Sequence, residues 1–398
     1  MDSAQCMKRI LVFTPWYPTP DQPHIYTYVS QQVKIINEYL NVVPGACEIV
    51  VWHQQQALDL AARIFHQKNN RNFDWEDGTV NVLSRQGTIL SHRWKARQYK
   101  FLHHEFACTY KQVVSLLNGE PDLVWTVTLS GALRWFEFAL NTKLKIPFVL
   151  QEHSNTIWMH LKSPAAVRLS VKALSKASKV IVVASRQIDQ FQSISPDLKP
   201  VVVWNAVDPA FIRPCNPLVL NRRILFVGRL SQEKGLNRLL RAISILVKIF
   251  PDLELYLVGS GPLKGFLERE ADALKISSYV HFLGSKKPSE IAVLLDETAV
   301  FVLPSEYENC PVALLEAQTR GVPCIVRKNN ASEHVLLPGN GVAVDDQGDG
   351  VGIASGLKNV FLQIEQFNRV EIQNRALQQF APSVFSRKMM SVFSEATQ

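Results

Sequence analysis

Two carboxylates, Glu308 and Glu316, stand eight positions apart in the run Glu308-Asn309-Cys310-Pro311-Val-Ala-Leu-Leu-Glu316. The preceding Ala299-Val-Phe-Val-Leu-Pro-Ser reads as a short buried strand passing into a loop. The residues from Pro311 to Arg320 predict a helix, capped by Asn309, with Pro311 in its first turn and Gly321 closing it. Glu308 then lies just ahead of a helix N-terminus, where backbone N–H groups gather, and Glu316 lies about a turn and a half inside. A ligand that offers hydroxyls to two carboxylates and phosphates to helix-end amides would need this layout.

A second constellation supplies the cations. In Val227-Gly228-Arg229-Leu-Ser-Gln-Glu-Lys234-Gly235 a strand ends at glycine, and a loop carrying Arg229 and Lys234 enters a helix. Two cations at a helix start suit a diphosphate. Val258-Gly259-Ser260-Gly261-Pro262 repeats the strand, glycine loop and helix, and glycines there permit close backbone approach. Taken singly, these motifs also describe solvated loop charges, a tight turn and a capping glutamate. Their order along one chain sets them apart. The six cysteines are scattered without metal spacing, and Asp345-Asp346 is followed by Gln-Gly rather than completing an Asp-x-Asp signature. No metal and no bound cofactor is expected.

The elements that must carry these loops alternate. Short apolar strands, such as Ile10–Phe13, Leu123–Thr126, Pro147–Gln151 and Val180–Ala184, are separated by helical stretches, and the pattern restarts after a Pro-rich stretch from Pro209 to Asn221 that reads as a linker. Continuous apolar strands between helices indicate parallel sheets covered on both faces. At 398 residues, with 47% apolar and 20% charged content, the chain suits two domains. The expected boundaries are 1–205 and 206–379, with residues 380–398 crossing back to the first domain. No apolar run is long enough to span a bilayer and no leader segment is visible, so a cytoplasmic location is expected. The net charge of +8 favours anionic partners, but no nucleic-acid-binding motif accompanies it.

The series Gly228-Arg-Leu…Glu-Lys-Gly, Val-Gly-Ser-Gly-Pro, Leu-Pro-Ser-Glu…Glu308-x7-Glu316-Ala and Gly321-Val-Pro resembles retaining family-4 glycosyltransferases of the GT-B fold. First-domain segments share the resemblance: Pro121-Asp-Leu-Val-Trp, Pro147-Phe-Val-Leu-Gln-Glu-His153, Ala177–Ser185 and Trp204-Asn205-Ala-Val-Asp208. It implies two Rossmann-like doubly wound α/β domains facing across a cleft, the first on the acceptor side and the second binding a nucleotide-sugar donor. It also implies roles. Arg229 and Lys234 would neutralise the leaving diphosphate in place of a metal. Glu308, with the amides of Asn309 and Cys310, would hold the donor sugar, and Glu316 the ribose hydroxyls. Gly228, Gly259 and Gly261 would line the donor loops, and His153 would face the sugar and acceptor. Asn205 and Asp208 would mark the end of the inter-domain connection. The implied reaction is metal-independent, hexosyltransferase-type transfer with retention, by a front-face, diphosphate-assisted path, in polysaccharide or glycoconjugate biosynthesis. Two departures stand out: Tyr26 where relatives carry a loop glycine, so that the loop is displaced, or Tyr26 helps to shape an acceptor-side pocket, or activity is reduced, and Asn329-Asn330-Ala-Ser-Glu333 where relatives carry a Gly-Gly turn.

The acid-free segment His92–His104 places Arg93, Arg97, Lys100 and His104 on one helical stripe beside Trp94 and Phe101. Such a face suits anionic lipid on the inner side of a membrane and would bring the enzyme to a glycan or lipid-linked acceptor; the ordinary alternative is a solvated basic helix. The functional alternatives are a nucleotide-sugar hydrolase or epimerase, and a non-catalytic scaffold that keeps the cleft for binding.

Overall fold

Runs such as Leu123-Val-Trp-Thr-Val and Val300-Phe-Val-Leu have no polar face to show to water, and each becomes a strand buried at every residue. In the computed structural model the described residues are 9–20, 27–42, 48–54, 73–77, 80–85, 95–154, 161, 163–217, 219–328 and 331–398. They form two compact units.

The first unit comprises Met1–Val183, Gln187–Val203 and Ser386–Gln398. Its strands are β1 (Arg9–Thr14), β2 (Glu48–Gln54), β3 (Phe73–Asp77), β4 (Val80–Arg85), β5 (Leu123–Val127), β6 (Phe148–Glu152), β7 (Lys179–Val182) and β8 (Val201–Val202). They lie in the order β3-β4-β2-β1-β5-β6-β7-β8, all parallel except β3. The helices are α1 (Thr27–Val42), α2 (Lys95–Leu116), α3 (Thr128–Thr142), α4 (Pro164–Lys176) and α5 (Arg186–Ile194). Phe13, Trp52, Trp135 and Phe138 anchor one core cluster, with Trp52 edge-on to Phe13 at 5.0 Å. The antiparallel β3 and helix α5 were not expected. Asp77, at the end of β3, accepts from Tyr17 at 2.9 Å and from Ser30 at 2.7 Å, and pairs with Lys34 at 2.6 Å, which ties the edge hairpin to α1.

The second unit comprises Ala184–Arg186 and Trp204–Phe385. It holds β9 (Arg223–Val227), β10 (Glu254–Val258), β11 (Val280–Gly284), β12 (Val300–Leu303), β13 (Cys324–Arg327) and β14 (Gly341–Val344). The order is β11-β10-β9-β12-β13-β14, parallel throughout. The helices are α6 (Leu236–Leu246), α7 (Lys264–Ala273), α8 (Pro288–Asp296), α9 (Val312–Thr319), α10 (Ala331–Val335), α11 (Val351–Leu362), α12 (Arg369–Phe380) and α13 (Pro382–Thr397), the last ending in the first unit. Strand order reverses between β9 and β12. Ligands of open α/β sheets bind at the carboxyl ends of the strands flanking such a reversal.

Two local expectations are corrected. The helix after Glu308 begins at Val312, with Pro311 rather than Asn309 at the N-cap and no side-chain cap bond. Proline's fixed φ lets it hold the extended cap conformation, φ −69° and ψ 112°. The stretch from Pro209 to Asn221 is not loose. Buried Arg320 donates to the carbonyls of Phe211 at 3.2 Å and Pro214 at 3.0 Å, as well as to Arg213, and pairs with Asp296.

Candidate active site

The loop after β9 is built by close approach of backbones. Gly228 N–H donates to the Val258 carbonyl, Leu230 N–H to that of Ser260 and Leu263 N–H to that of Leu230, each at 3.0 Å. A Cβ on Gly259 would lie 1.9 Å from the Gly228 carbonyl oxygen, and one on Gly261 would lie 2.4 Å from that of Leu230. These two glycines therefore let the β9 and β10 loops stack on each other. A turn over Gln232–Lys234 then ends at Gly235, whose φ of +64° starts α6. A Cβ on Gly235 would meet the Pro304 carbonyl oxygen at 2.4 Å, so the β9 loop also lies against the β12 loop.

That second contact carries charge. Lys234 Nζ lies 2.6 Å from Glu308 Oε1, with side chains 19% and 11% exposed. Arg238 pairs with Glu306, and Glu306 N–H donates to the Glu233 carbonyl at 2.8 Å. Arg229 shares the loop with Lys234 and is exposed. Sequence reasoning had not singled out Arg238 or Glu306. No local signal marks them, because the pair joins positions 68 apart in the chain.

Glu316 is the fifth residue of α9 and is half-buried. Burial pushes its carboxyl up to about 8, and the charge of Asp208 adds to the shift. A neutral carboxyl both donates and accepts hydrogen bonds, which suits a pair of hydroxyls. Cys310 is buried, and burial foremost pushes its thiol up to about 12, so it is a poor nucleophile. Its carbonyl accepts from Asn205 Nδ2 at 3.0 Å. Asp208 caps the turn over Pro209–Phe211, accepting from Ala210 N–H at 2.8 Å. Asn309 is buried. At the far end of α9, Gly321 takes φ +71°; its N–H donates to the Gln318 carbonyl and Val322 N–H to that of Ala317, a Schellman closure.

His153 belongs to the first unit, half-buried just after β6, its ring 5.0 Å from that of Tyr28. Beside it, Glu152 is fully buried and its carboxyl is pushed up by burial; its two oxygens accept Leu129 N–H and Ser154 N–H, both at 2.7 Å. It joins the His153 turn to the start of α3, where Thr128 holds φ +68°. Tyr26, Asn329 and Asn330 lie outside the described residues, as do 92–94 of the basic segment, whose remainder opens α2. Among the described residues no three His, Cys, Asp or Glu side chains are grouped to hold a metal ion. Asp346 instead accepts from the N–H groups of Gly348 at 3.1 Å and Gly352 at 3.2 Å, next to the start of α11.

Residues 219–376, which contain both paired loops, match the family model of glycosyl transferases group 1. That stretch, within the second unit, is thus similar to glycosyl transferases group 1. Relatives include a 2-deoxystreptamine N-acetyl-D-glucosaminyltransferase of Niallia circulans, 21% identical over 63% of this chain and 70% of its own length. An uncharacterized glycosyltransferase of Haemophilus influenzae is 27% identical over 52% of this chain and 58% of its own length. The chain thus spans little more than half of that second relative. Solved structures similar in fold include sucrose-phosphate synthase of Thermosynechococcus elongatus, with a TM-score of 0.69 at 15% identity over 97% of this chain and 98% of that one. Anabaena HepE, solved with UDP and glucose, gives 0.69 at 17% identity over 98% and 99%. The two doubly wound units are those of the GT-B fold.

Proposed function

We propose that this protein is a retaining glycosyltransferase that moves a sugar from a nucleotide-diphosphate sugar to an acceptor hydroxyl of a glycan or lipid-linked glycan, without a metal, in polysaccharide or glycoconjugate assembly. The observation that carries the reading is the Lys234–Glu308 pair at the carboxyl ends of β9 and β12, where strand order reverses. The group 1 match over the same loops supports it, as does a fold neighbour that binds UDP and glucose.

In this reading the sugar–phosphate bond breaks toward an oxocarbenium-like sugar and a diphosphate. Lys234 and Arg229 stabilise the charge that grows on the diphosphate oxygens, and fixed cations do so without reorganising. Glu308 accepts hydrogen bonds from sugar hydroxyls. Glu316 holds the ribose, and His153 serves the acceptor side. The site of action is the cytoplasmic face of a membrane, met through residues 92–104; among the described residues no helix is long and apolar enough to cross one.

The test is a screen of uridine- and guanosine-diphosphate sugars, read by thermal shift and nucleotide release, with and without acceptor glycans. Wild type should bind at least one sugar nucleotide, and Lys234→Ala should lower turnover roughly 100- to 1,000-fold, the scale of losing one preorganised charge-stabilising group. Failure of every nucleotide sugar to bind overturns the reading. Chelator should leave the rate unchanged, and the product anomer should match that of the sugar nucleotide.

A further inference from the structure

Lys234 and Glu308 neutralise each other largely out of water, 2.6 Å apart. The segments that carry them are clamped independently of the pair. Arg238 holds Glu306, Glu306 N–H holds the Glu233 carbonyl, and Gly235 lies flush against Pro304. The backbones that carry Glu308 and Lys234 are therefore held side by side whether or not the pair forms. A diphosphate that recruits Lys234 must draw the ammonium off a carboxylate that is 11% exposed. Leaving such a carboxylate without its counter-ion is strongly unfavourable. Sugar hydroxyls remove the difficulty, because they replace the ammonium as hydrogen-bond partners of Glu308. A bare nucleoside diphosphate brings no such hydroxyls.

We propose that Glu308 sets the preference of the site for a sugar-bearing nucleotide over the spent nucleoside diphosphate, by competing for Lys234 whenever no sugar is present to take its place. This rests on the nucleotide-sugar reading and deepens it. Glu308 becomes a specificity-determining residue and not merely a sugar ligand. Product release is promoted by the same contact: once the sugar has left, the carboxylate reclaims the ammonium and loosens the diphosphate.

The experiment is calorimetric titration of wild type, Glu308→Gln and Glu365→Gln with UDP, UDP-glucose, GDP and GDP-mannose. For the nucleotide that wild type binds, Glu308→Gln should bind the bare diphosphate about tenfold tighter, and its preference for the sugar-bearing form should fall by at least that factor; tenfold corresponds to about 1.4 kcal/mol. Glu365→Gln, which removes an equal charge from an exposed position of the second unit, should stay within about twofold of wild type on the same scale. Unchanged or weaker diphosphate binding by Glu308→Gln overturns the proposal. Equal tightening by Glu365→Gln also overturns it, since that would be a general loss of negative charge. The gain should vanish in a Lys234→Ala background, and its persistence there counts against the proposal. If Glu308→Gln does not fold, Glu308→Asp withdraws the carboxylate from Lys234 and should tighten diphosphate binding in the same direction; no tightening overturns the idea. If wild type binds no nucleotide at all, the nucleotide-sugar reading itself fails, and this inference with it.

Discussion

At the scale of single residues, Glu316 is a carboxyl whose proton matters. Its pKa rises from 4.5 to about 8, with burial the main cause and Asp208 the second. The folded chain therefore keeps a proton there that the unfolded chain has lost once pH passes about 4.5. A raised carboxyl pKa adds stability that is full below the unfolded value and drains away as pH climbs toward the folded one. Glu316→Gln, a neutral isostere, should abolish that drain. Its advantage over wild type should grow between pH 5 and pH 8.5 to on the order of 2 kcal/mol, once the residue's partial exposure is allowed for. Parallel denaturant melts at the two pH values check this; an equal difference at both would mean that Glu316 does not change its charge in the fold. The same residue shows where reading by type stops. Its position eight residues after Glu308 was legible, but its protonation was not, because it follows from burial first, which only packing sets, and then from Asp208, more than a hundred positions away in the chain.

At the scale of elements, the loops behind the charged pair stand or fall together. Gly259 sits at φ +133° and Gly284 at φ +68°, yet only Gly259 has a backbone oxygen where its Cβ would go. Gly284→Ala should cost about 1 kcal/mol, the ordinary penalty of a left-handed alanine. Gly259→Ala should cost clearly more and weaken nucleotide binding, because the β9 loop must then move off Ser260. Urea unfolding of the two variants checks this; equal losses would show that neither the φ of Gly259 nor the loop stack carries weight. Strand and helix positions in the second unit were legible as far as β13, since runs such as Arg223–Val227 and Val300–Leu303 are apolar and bounded by turn residues, whereas β14 and α10 to α12 were not read. The starts of helices were less legible. Asn309 has the better capping side chain, but Pro311 took the cap position. Gly259 and Gly261 read as donor-loop glycines that permit close backbone approach, and one such approach is that of the β9 loop. Glu152 was passed over as part of a strand, because nothing local reveals that two N–H groups from different loops converge on it.

At the scale of the whole molecule, the chain leaves the first unit after Val203 and returns to it at Ser386. The Pro-rich stretch near the first crossing looked like a tether, because prolines break elements and say nothing of what binds their carbonyls. Arg320, read as the last residue of a helix, is what binds them. The return is secured by side chains as well as by connectivity. Within the first unit Phe393 is buried, its ring 5.6 Å from that of Trp125, and Lys179 pairs with Glu395 at 2.7 Å. The Lys179–Glu395 pair is well exposed and contributes little. The ring contact is the anchor, and truncating a buried phenylalanine costs about 3–5 kcal/mol. Phe393→Ala should therefore loosen the first unit selectively. Hydrogen exchange followed by mass spectrometry should show faster exchange in peptides covering β5, β6 and β7, while peptides covering β9, β10 and β12 keep wild-type rates. The selectivity comes from where the lost contact lies: Phe393 packs on Trp125 in β5, whereas β9 and β12 are held by neighbours inside their own sheet. Equal acceleration in both sets would mean that the units unfold as one, and no change in either would mean that the last helix does not support the sheet it packs on.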